Sequence, residues 1–510
     1  MKKLFIKFLF AFLGIFFISI SSYGQNTPSL WKHTCNCGVA QMIVLDDNQN
    51  TYVVTDASAG LPHVIKLSPS GQTKFDQTYL PSGYTQMFFT NSFYKNGFVY
   101  VAGYVDSFPV TNRMVLTKLD TSGVLMNQVI IDSVAANTIS GIKSQPYYNY
   151  GFYLDQQNNI HVGFIKSGQN FVSIYSFLKL DLNFNLINHF EQTLTFSSSP
   201  GPFYVAKDGD VFYSYSGSFN KLDSSYTAIS WSYPINNYGK AVMISEDASG
   251  NPVFINNEPS PPVSSLIKLS DNGSNYSFNY ESILNSGTET MSTLLLDTIS
   301  DFAFTASYDN TNWPYKRSVY KNILSTGSSV WKDSVYDSQR IYDLQLDNFN
   351  NLVAAGGGTN YYVLFYNPAG IVTNFIVYDG PCGGNDAIEA LRFTTDNKII
   401  VGGSACESSS NINYGTTLKY ANPNSATELV EISSTDFGLN PYPVPANQKL
   451  YLGERIYPSK VEFTDVQGRK VLLSVNDDQS VNVSVLPDGL YVLKIIEGKN
   501  IALTKVLISH

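Results

Sequence analysis

Short apolar runs alternate with polar clusters along most of this chain, and the alternation repeats. The segment "MIVLDDNQNTYVVTDASAGLPHVIKLSPSGQTKFDQTY" (42–79) sets the layout. An apolar strand leads to an Asp/Asn/Gly turn, then come a Val/Tyr/Phe strand, a variable loop, a strand ending in Lys-Leu, a Gly turn and a last strand. The same order returns at 97–131 and 151–190, and later in "AKDGDVFYSYSGSFNKLDSS", "EDASGNPVFINNEPSPPVSSLIKLSDNG", "LDNFNNLVAAGGGTNYYVLFYNPAG" and "TTDNKIIVGGSACESSSNINYGTTLKYANPN". Alternation with period two and turn residues at regular spacing predicts short antiparallel strands.

Lys66, Lys118, Lys179, Lys221, Lys268, Lys321 and Lys419 hold equivalent places, with a degenerate "VLFYN" before the last. Their mean spacing of about 50 residues suits a four-stranded blade. The prediction is an all-β chain, a β-propeller of eight blades, with seven as the alternative. Trp231 and Trp331 fall on the last strand of their repeats, and Trp31 holds the same phase ahead of the first complete repeat. The N-terminal strand is therefore expected to complete the eighth blade and close the ring, which removes free sheet edges. The repeats resemble secreted bacterial propeller blades built around "D..GN.YV.G" and "..KLD..G", a likeness that implies a fold and not an activity.

The turn strings "DDNQN", "DQQNN", "DASGN" and "DNFNN" put Asp first and Asn or Gly late, as a capped hairpin requires. They echo calcium loops but lack the central Gly and the distal Glu, so they read as turns.

Charge and composition narrow the class. The chain carries a net charge of −9, with 14% charged and 14% aromatic residues. An acidic body without a basic stripe excludes nucleic acid as a partner. Lys2, Lys3 and Lys7, an apolar run to about Ile20 and small residues at Ser22 and Gly24 describe a cleaved secretory signal over 1–24, with Gln25 as the mature start. The run is short for a membrane anchor, and no transmembrane span is expected in the mature chain.

The period breaks at the end of the chain. A propeller region over 25–425 and a linker over 426–439 give way to a small Ig-like antiparallel sandwich over 440–510, with about seven short strands expected. Its residues resemble the type A C-terminal sorting domain of the Bacteroidetes type IX secretion system. The likeness rests on Tyr442-Pro443-Val444-Pro445-Ala446, Asp465 with Gly468-Arg469, Leu486 with Gly489-Leu490-Tyr491, and Lys505. Val444 stands where that family usually has Asn, and one Lys remains in the last strand. The resemblance implies export through the periplasm, the type IX machinery as partner, and release or attachment at the cell surface. An ordinary accessory sandwich is the alternative.

Chemistry is sparse. His33, His63, His161, His189 and His510 form no metal spacing, and no nucleophile elbow is present. Neither metal, cofactor nor catalytic residue is assigned. Gly356-Gly357-Gly358 and Gly402-Gly403 have no following helix to bind phosphate and read as close packing. Two functions compete: a non-catalytic module binding glycan or protein, and a propeller hydrolase or lyase acting on polysaccharide or peptide. Trp313 and Tyr315 in "SYDNTNWPYK" and Tyr361 and Tyr362 in "GGTNYY" are the ligand-binding candidates, because aromatic faces stack on sugars. An enzyme would gather carboxylates or a His at the funnel.

Cys35, Cys37, Cys382 and Cys406 are the only cysteines in an exported chain, and two disulfides are expected at the closure seam. The favoured pattern joins Cys35 or Cys37 to Cys382 and the other to Cys406. Cys35–Cys37 with Cys382–Cys406 ranks second, since so short a loop strains the bridge.

Overall fold

The computed structural model describes residues 28–510 apart from 57–60, 108–109, 132–150, 168–172, 195–201, 216, 236–239, 260–261, 286, 288, 310, 312–314, 337–338, 382–385, 407–412, 424–440, 453–459, 466–469, 477 and 498–499. The proposed signal and linker lie outside these residues. The chain forms two compact units, Met1–Asn424 and Ser425–His510.

Unit one is a propeller of eight four-stranded blades. Blade one comprises Ala40–Leu45, Thr51–Thr55, Val64–Leu67 and Thr73–Gln77. Blades two to seven follow as antiparallel meanders over 86–131, 152–194, 203–234, 240–285, 290–336 and 340–378. Blade eight takes three strands from Ala387–Phe393, Ile399–Cys406 and Asn413–Tyr420, and its fourth from the N-terminus, Trp31–Cys35. That last pairing is antiparallel from Trp31↔Lys419 to Cys35↔Gly415, so the two ends of the propeller sequence close the ring by hydrogen bonds.

Each blade-to-blade interface has its own apolar cluster. Tyr52, Val64 and Val101 lie between blades one and two, Tyr100 and Phe164 between two and three, and Phe177 and Tyr213 between three and four. The pattern continues through Phe219 with Phe254, Ile255 with Tyr320, Phe304 with Tyr366, and Val363 with Val401. Ile43 meets Ala390 and Ile400 across the closure. No blade could bury its faces alone, which is why the repeat must close.

The turn after the first strand is built by its Asp. In blade one Asp46 Oδ1 accepts the N–H groups of Asn48 and Asn50 at 3.0 and 2.8 Å, and Asn50 Nδ2 donates to Oδ2 at 2.8 Å. Asp155 with Asn159, Asp247 with Asn251 and Asp347 with Asn351 repeat it, each Asp buried. Gln49, Asn158 and Asn350 take the left-handed conformation that closes these turns. Such carboxylates are spent on their own backbone, consistent with turns and not calcium loops.

In blades one, two, three and eight the recurrent Lys acts between blades. Lys66 donates to Thr121 O at 2.7 Å, Lys118 to Leu182 O at 3.0 Å and Lys179 to Ser224 O at 3.1 Å, each a carbonyl in the turn between the third and fourth strands of the next blade. Lys419 of blade eight reaches Pro69 O of blade one at 3.3 Å and completes the circle. The residue paired across from the Lys reaches the same turn. Trp31 donates its indole N–H to Pro69 O at 3.0 Å and Trp331 to Pro368 O at 3.1 Å. Gly71 and Gly370 accept these rings at close range, where any Cβ would stand 2.5 Å from the indole.

The favoured thiol pattern is corrected. Cys35 and Cys37 pair with each other, their Cα atoms 5.1 Å apart, as in the second arrangement. Cys406 is disulfide-bonded, and Cys382 lies outside the described residues. All the described thiols belong to the seam, but Cys35 finds its neighbour in its own turn before it can reach another blade.

Replacing Trp31 by Ala removes the ring on Gly71 and the bond to Pro69. Urea unfolding is expected to show a loss of about 2–4 kcal/mol, against about 0.5 kcal/mol or less for Val330→Ala on an exposed strand. Equal small effects would show that the seam does not carry the ring.

Candidate functional site

The buried titratable groups sort into those the fold consumes and those it leaves over. His161 sits on the second strand of blade three, fully buried, with Nε2 2.9 Å from Asp155 Oδ2 and Nδ1 2.6 Å from the Tyr226 hydroxyl. This Asp–His–Tyr chain has the composition of a catalytic relay, yet it occupies the position where blade one bonds Tyr52 to Asp46 and to Thr121 O. It is the interblade clasp in other residues. Burial lowers the His161 pKa against the opposing pull of Asp155, so the ring is neutral at neutral pH.

Glu289, just before blade six, is likewise consumed. Its carboxylate accepts from Ser307 Oγ and Tyr320 OH, both at 2.7 Å, and from Lys316 Nζ, with Lys332 Nζ 3.7 Å away. Burial pushes its pKa up, but the bonds from Lys316, Ser307 and Tyr320 outweigh it and hold the group at about 2. Asp386, buried before blade eight, accepts the N–H groups of Gly380 and Cys406 at 2.6 and 2.8 Å and shapes its own loop. Among the described residues no group of three or more His, Cys, Asp and Glu could hold a metal ion.

The aromatic candidates divide. Tyr361 and Tyr362 are 1% and 6% exposed, on the third strand of blade seven, Tyr361–Tyr366, and not in an open loop. Tyr361 donates to Thr416 O of blade eight at 3.1 Å, and the Arg317 guanidinium lies 5.5 Å from the Tyr362 ring. They pack between blades, as part of the third strand itself. Tyr315 is half-buried just ahead of Lys316–Ile323, and Trp313 lies outside the described residues. The Gly356, Gly357 and Gly403 positions are filled by the backbones of Arg340, Asp386 and Ala387, which leaves no phosphate cradle there.

Two features at the closure seam remain open. The turns after the first strands of blades seven, eight and one line a depression of about 540 Å³, with Asp47, Gln49, Asn348, Phe393 and Thr395 on its wall. Thr395 N–H donates to Gln49 Oε1 at 2.9 Å and Asn348 N–H to Asn397 Oδ1 at 3.1 Å, which ties the three turns together. Amides, hydroxyls and one aromatic edge on a rigid rim suit a polar ligand.

At the other end of the same strands the ladders slip by one residue. The slips fall at Gln41, Thr90, Val242, Ser292, Tyr342 and Glu389 in blades one, two, five, six, seven and eight. A bulge takes its extra residue out of the ladder and re-aims it. Large polar groups stand at this position only in blades seven, eight and one. Glu389 Oε2 is shut off from solvent with no hydrogen-bond partner among the described residues. Burial, and then the charge of Asp56, push the Glu389 carboxyl up to about 8. Asp56 itself accepts Val39 N–H at 2.9 Å and the Gln41 amide at 3.4 Å. Sequence pattern did not single out Glu389; a charged residue in a strand whose counterparts are Thr, Val and Ser was the available signal.

Unit two presents the tail. Six strands form a two-stranded sheet, Lys449–Tyr451 with Ser480–Asn482, and a four-stranded sheet ordered Lys470–Ser474, Lys460–Asp465, Gly489–Glu497, Asn500–Ile508. Leu450, Phe463, Leu486, Leu493 and Val506 fill the core between them. Ala446 is fully buried, its N–H bonded to Leu507 O and its carbonyl to Ser509 N–H, both at 2.9 Å, which pins the segment before it to the final strand. Ahead of it Pro443 and Pro445 are exposed, and the exposed Tyr442 stacks on Tyr451 at 5.2 Å. Asp465 pairs with Tyr491, whose hydroxyl donates to Pro487 O at 2.9 Å. Gly489 opens its strand opposite Ile508, and Lys505 is exposed. Gly468 and Arg469 lie outside the described residues.

Residues 440–509 match the family described as the secretion system C-terminal sorting domain. The tail is a type IX sorting domain. It directs the chain through the periplasm to the cell surface or beyond. Its buried Ala446 and its Pro487–Tyr491 corner are thus the sorting domain's own framework. No curated protein matches the chain. Among solved structures, the Dos1 propeller covers 78% of this chain and 95% of its own, at 11% identity and a TM-score of 0.51. Sqt1 from Chaetomium thermophilum covers 78% and 99%, at 9% identity and 0.50. These likenesses establish the propeller fold alone. Among the described residues no helix is long and apolar enough to cross a membrane.

The Glu289 cluster generates a pH dependence. Its folded pKa of about 2 lies below the ordinary 4.5, so its contribution is fully present above pH 4.5 and is lost as pH falls toward 2. Glu289→Gln is expected to lower stability by about 2–3 kcal/mol at pH 7, the gap closing between about pH 4.5 and pH 2. A gap independent of pH in denaturant titrations would refute an ionised Glu289.

Proposed function

We propose that this chain is an exported surface or secreted protein of a Bacteroidetes cell, addressed by its tail, whose propeller is a non-catalytic module that binds glycan or protein. The observation that supports it most is the seam depression, whose wall combines Asp47, Gln49, Asn348 and Thr395 with the edge of Phe393. A hexose offers hydroxyls to such amides and carboxylates and a C–H face to the ring. The relay-like residues of blade three and the carboxylate of Glu289 are engaged in holding blades, which leaves them no substrate to act on.

One observation favours the hydrolase reading. Glu389 keeps its proton near neutrality beside the carboxylate of Asp56, as a general acid would. Asp56 is however bonded to Val39 N–H and the Gln41 amide, a positioning that suits recognition better than a base that must move a proton.

Glycan-array and pull-down binding with the mature chain, run beside glycosidase and peptidase screens, decides between them. The binding reading expects a ligand whose affinity falls about tenfold in Asp47→Ala/Asn348→Ala, a loss typical of two polar contacts, and no turnover. Turnover abolished by Glu389→Gln would replace it with the enzyme. For export, removing 437–510 is expected to leave the propeller folded and held inside the outer membrane; surface display of the shortened chain would refute the address.

A further inference from the structure

We infer that the inner strands of blades seven, eight and one form a receptor for a primary ammonium group, with Glu389 and Asp56 as counter-charges and Gln41 and Tyr342 as oxygen donors around it. The inference deepens the binding-module reading and rests on it. Its ground is the departure from symmetry at the bulge position.

The first strand of a blade is covered on both faces by neighbouring blades and on one edge by its own second strand. Any exposure it keeps therefore opens on the central channel. Glu389, Gln41 and Tyr342 are partly exposed there, and Asp56, just past the second strand of blade one, is partly exposed and bonded to the Gln41 amide. The first strand of blade eight packs against those of blades seven and one, and there Glu389 feels Asp56 of blade one while Tyr342 of blade seven feels Glu389. The corresponding residues of blades two, five and six, Thr90, Val242 and Ser292, carry no charge.

Among the described residues no cation pairs with Glu389. The nearby Arg392 guanidinium is committed, at 3.0 Å to Asp343 Oδ2 and at 2.6 Å to Leu391 O. Among the described residues Glu389 thus carries an oxygen without a donor, beside a second carboxylate and with no basic partner. An isolated buried acid of this kind is costly unless a ligand completes it. An ammonium brings three N–H donors and one positive charge, which serve the Glu389 carboxylate and the oxygens of Gln41 and Tyr342 together. Guanidinium is planar and needs a forked carboxylate face, which the sealed Oε2 does not offer. Outside a cell the group has two sources, a lysine side chain and a 2-amino-2-deoxy sugar.

Binding would ionise Glu389 and release its proton. With the free carboxyl near 8 and Asp56 and Tyr342 the titratable groups facing it, affinity is expected to rise about tenfold per pH unit from 6 toward 8 and then level off.

The test is calorimetric titration of the mature chain with Nα-acetyl-lysine amide and with glucosamine oligomers, against their N-acetylated counterparts. The expected result is binding of at least one amine and of neither neutral counterpart, a loss of tenfold or more in Glu389→Gln, and a flat pH profile in that variant. Asp56→Asn gives a second reading of the same loss should Glu389→Gln not fold. The amine that binds identifies the source. No amine binding, equal binding of amine and neutral forms, unchanged affinity in Glu389→Gln, or displacement by calcium alone would overturn the inference. Glycan or protein capture that survives Glu389→Gln would sink this site and leave the binding module standing. Capture lost in Asp47→Ala/Asn348→Ala, with amine binding intact, would separate the two in the other direction.

Discussion

The carbonyl groups in the turn between the third and fourth strands are the points on which the ring hangs. Where such a turn leaves a carbonyl unpaired by its own ladder, the preceding blade supplies a donor: a Lys from its third strand, as with Lys66, Lys118 and Lys179, or an indole, amide or phenol from its fourth. Asn127 to Asn183 O and Tyr280 OH to Leu324 O are further instances, at 2.7 and 2.8 Å. A lysine head bonded to the next blade's carbonyl also lies over an aromatic ring of its own blade, as the Lys118 Nζ does over Phe98 at 4.4 Å. The handover has a direction, from each blade to the next, and so it can be satisfied everywhere only if the last blade meets the first. Lys419 and Trp31, both on Pro69 O, are that meeting.

This explains why so much of the fold was legible. A residue that must reach a fixed point on the next repeat recurs at a fixed phase, so the Lys column and the Trp positions marked blade number and the borrowed N-terminal strand without any structure. Asp46, Asp155, Asp247 and Asp347 were legible for a second reason: an Asx turn is decided within five residues. Contacts that depend on neither repeat phase nor local spacing were not. Cys35 was expected to reach across the seam, but a partner two residues away costs less chain order than one on another strand. Tyr361 and Tyr362 looked like loop residues because glycines precede them, whereas those glycines exist to let Arg340 and Ala387 approach.

The same reasoning says why the candidate site stayed hidden. Side chains between blades are fixed by apolar packing, and turn residues are fixed by their hydrogen bonds. A bulged residue belongs to neither set, so its identity is free of the repeat and leaves no periodic trace. The residues at the same bulge in five other blades, Gln41, Thr90, Val242, Ser292 and Tyr342, share no chemistry with Glu389, and its charge acquires meaning only when blades seven and one are placed beside it.

Symmetry therefore divides the labour within the propeller. Clasps that recur between successive blades fix the frame through its outer strands, and the lining of the axis is released to vary. The seam gathers that variation, since blades seven, eight and one contribute both the polar depression at the turn end and the acidic arc at the other end of their inner strands. An arc with surplus negative charge in a body that is itself acidic would be a poor structural investment: nearby like charge raises the cost of every carboxylate it holds. The Glu389 oxygen without a donor is the physical argument that the arc is there to be completed by something from outside.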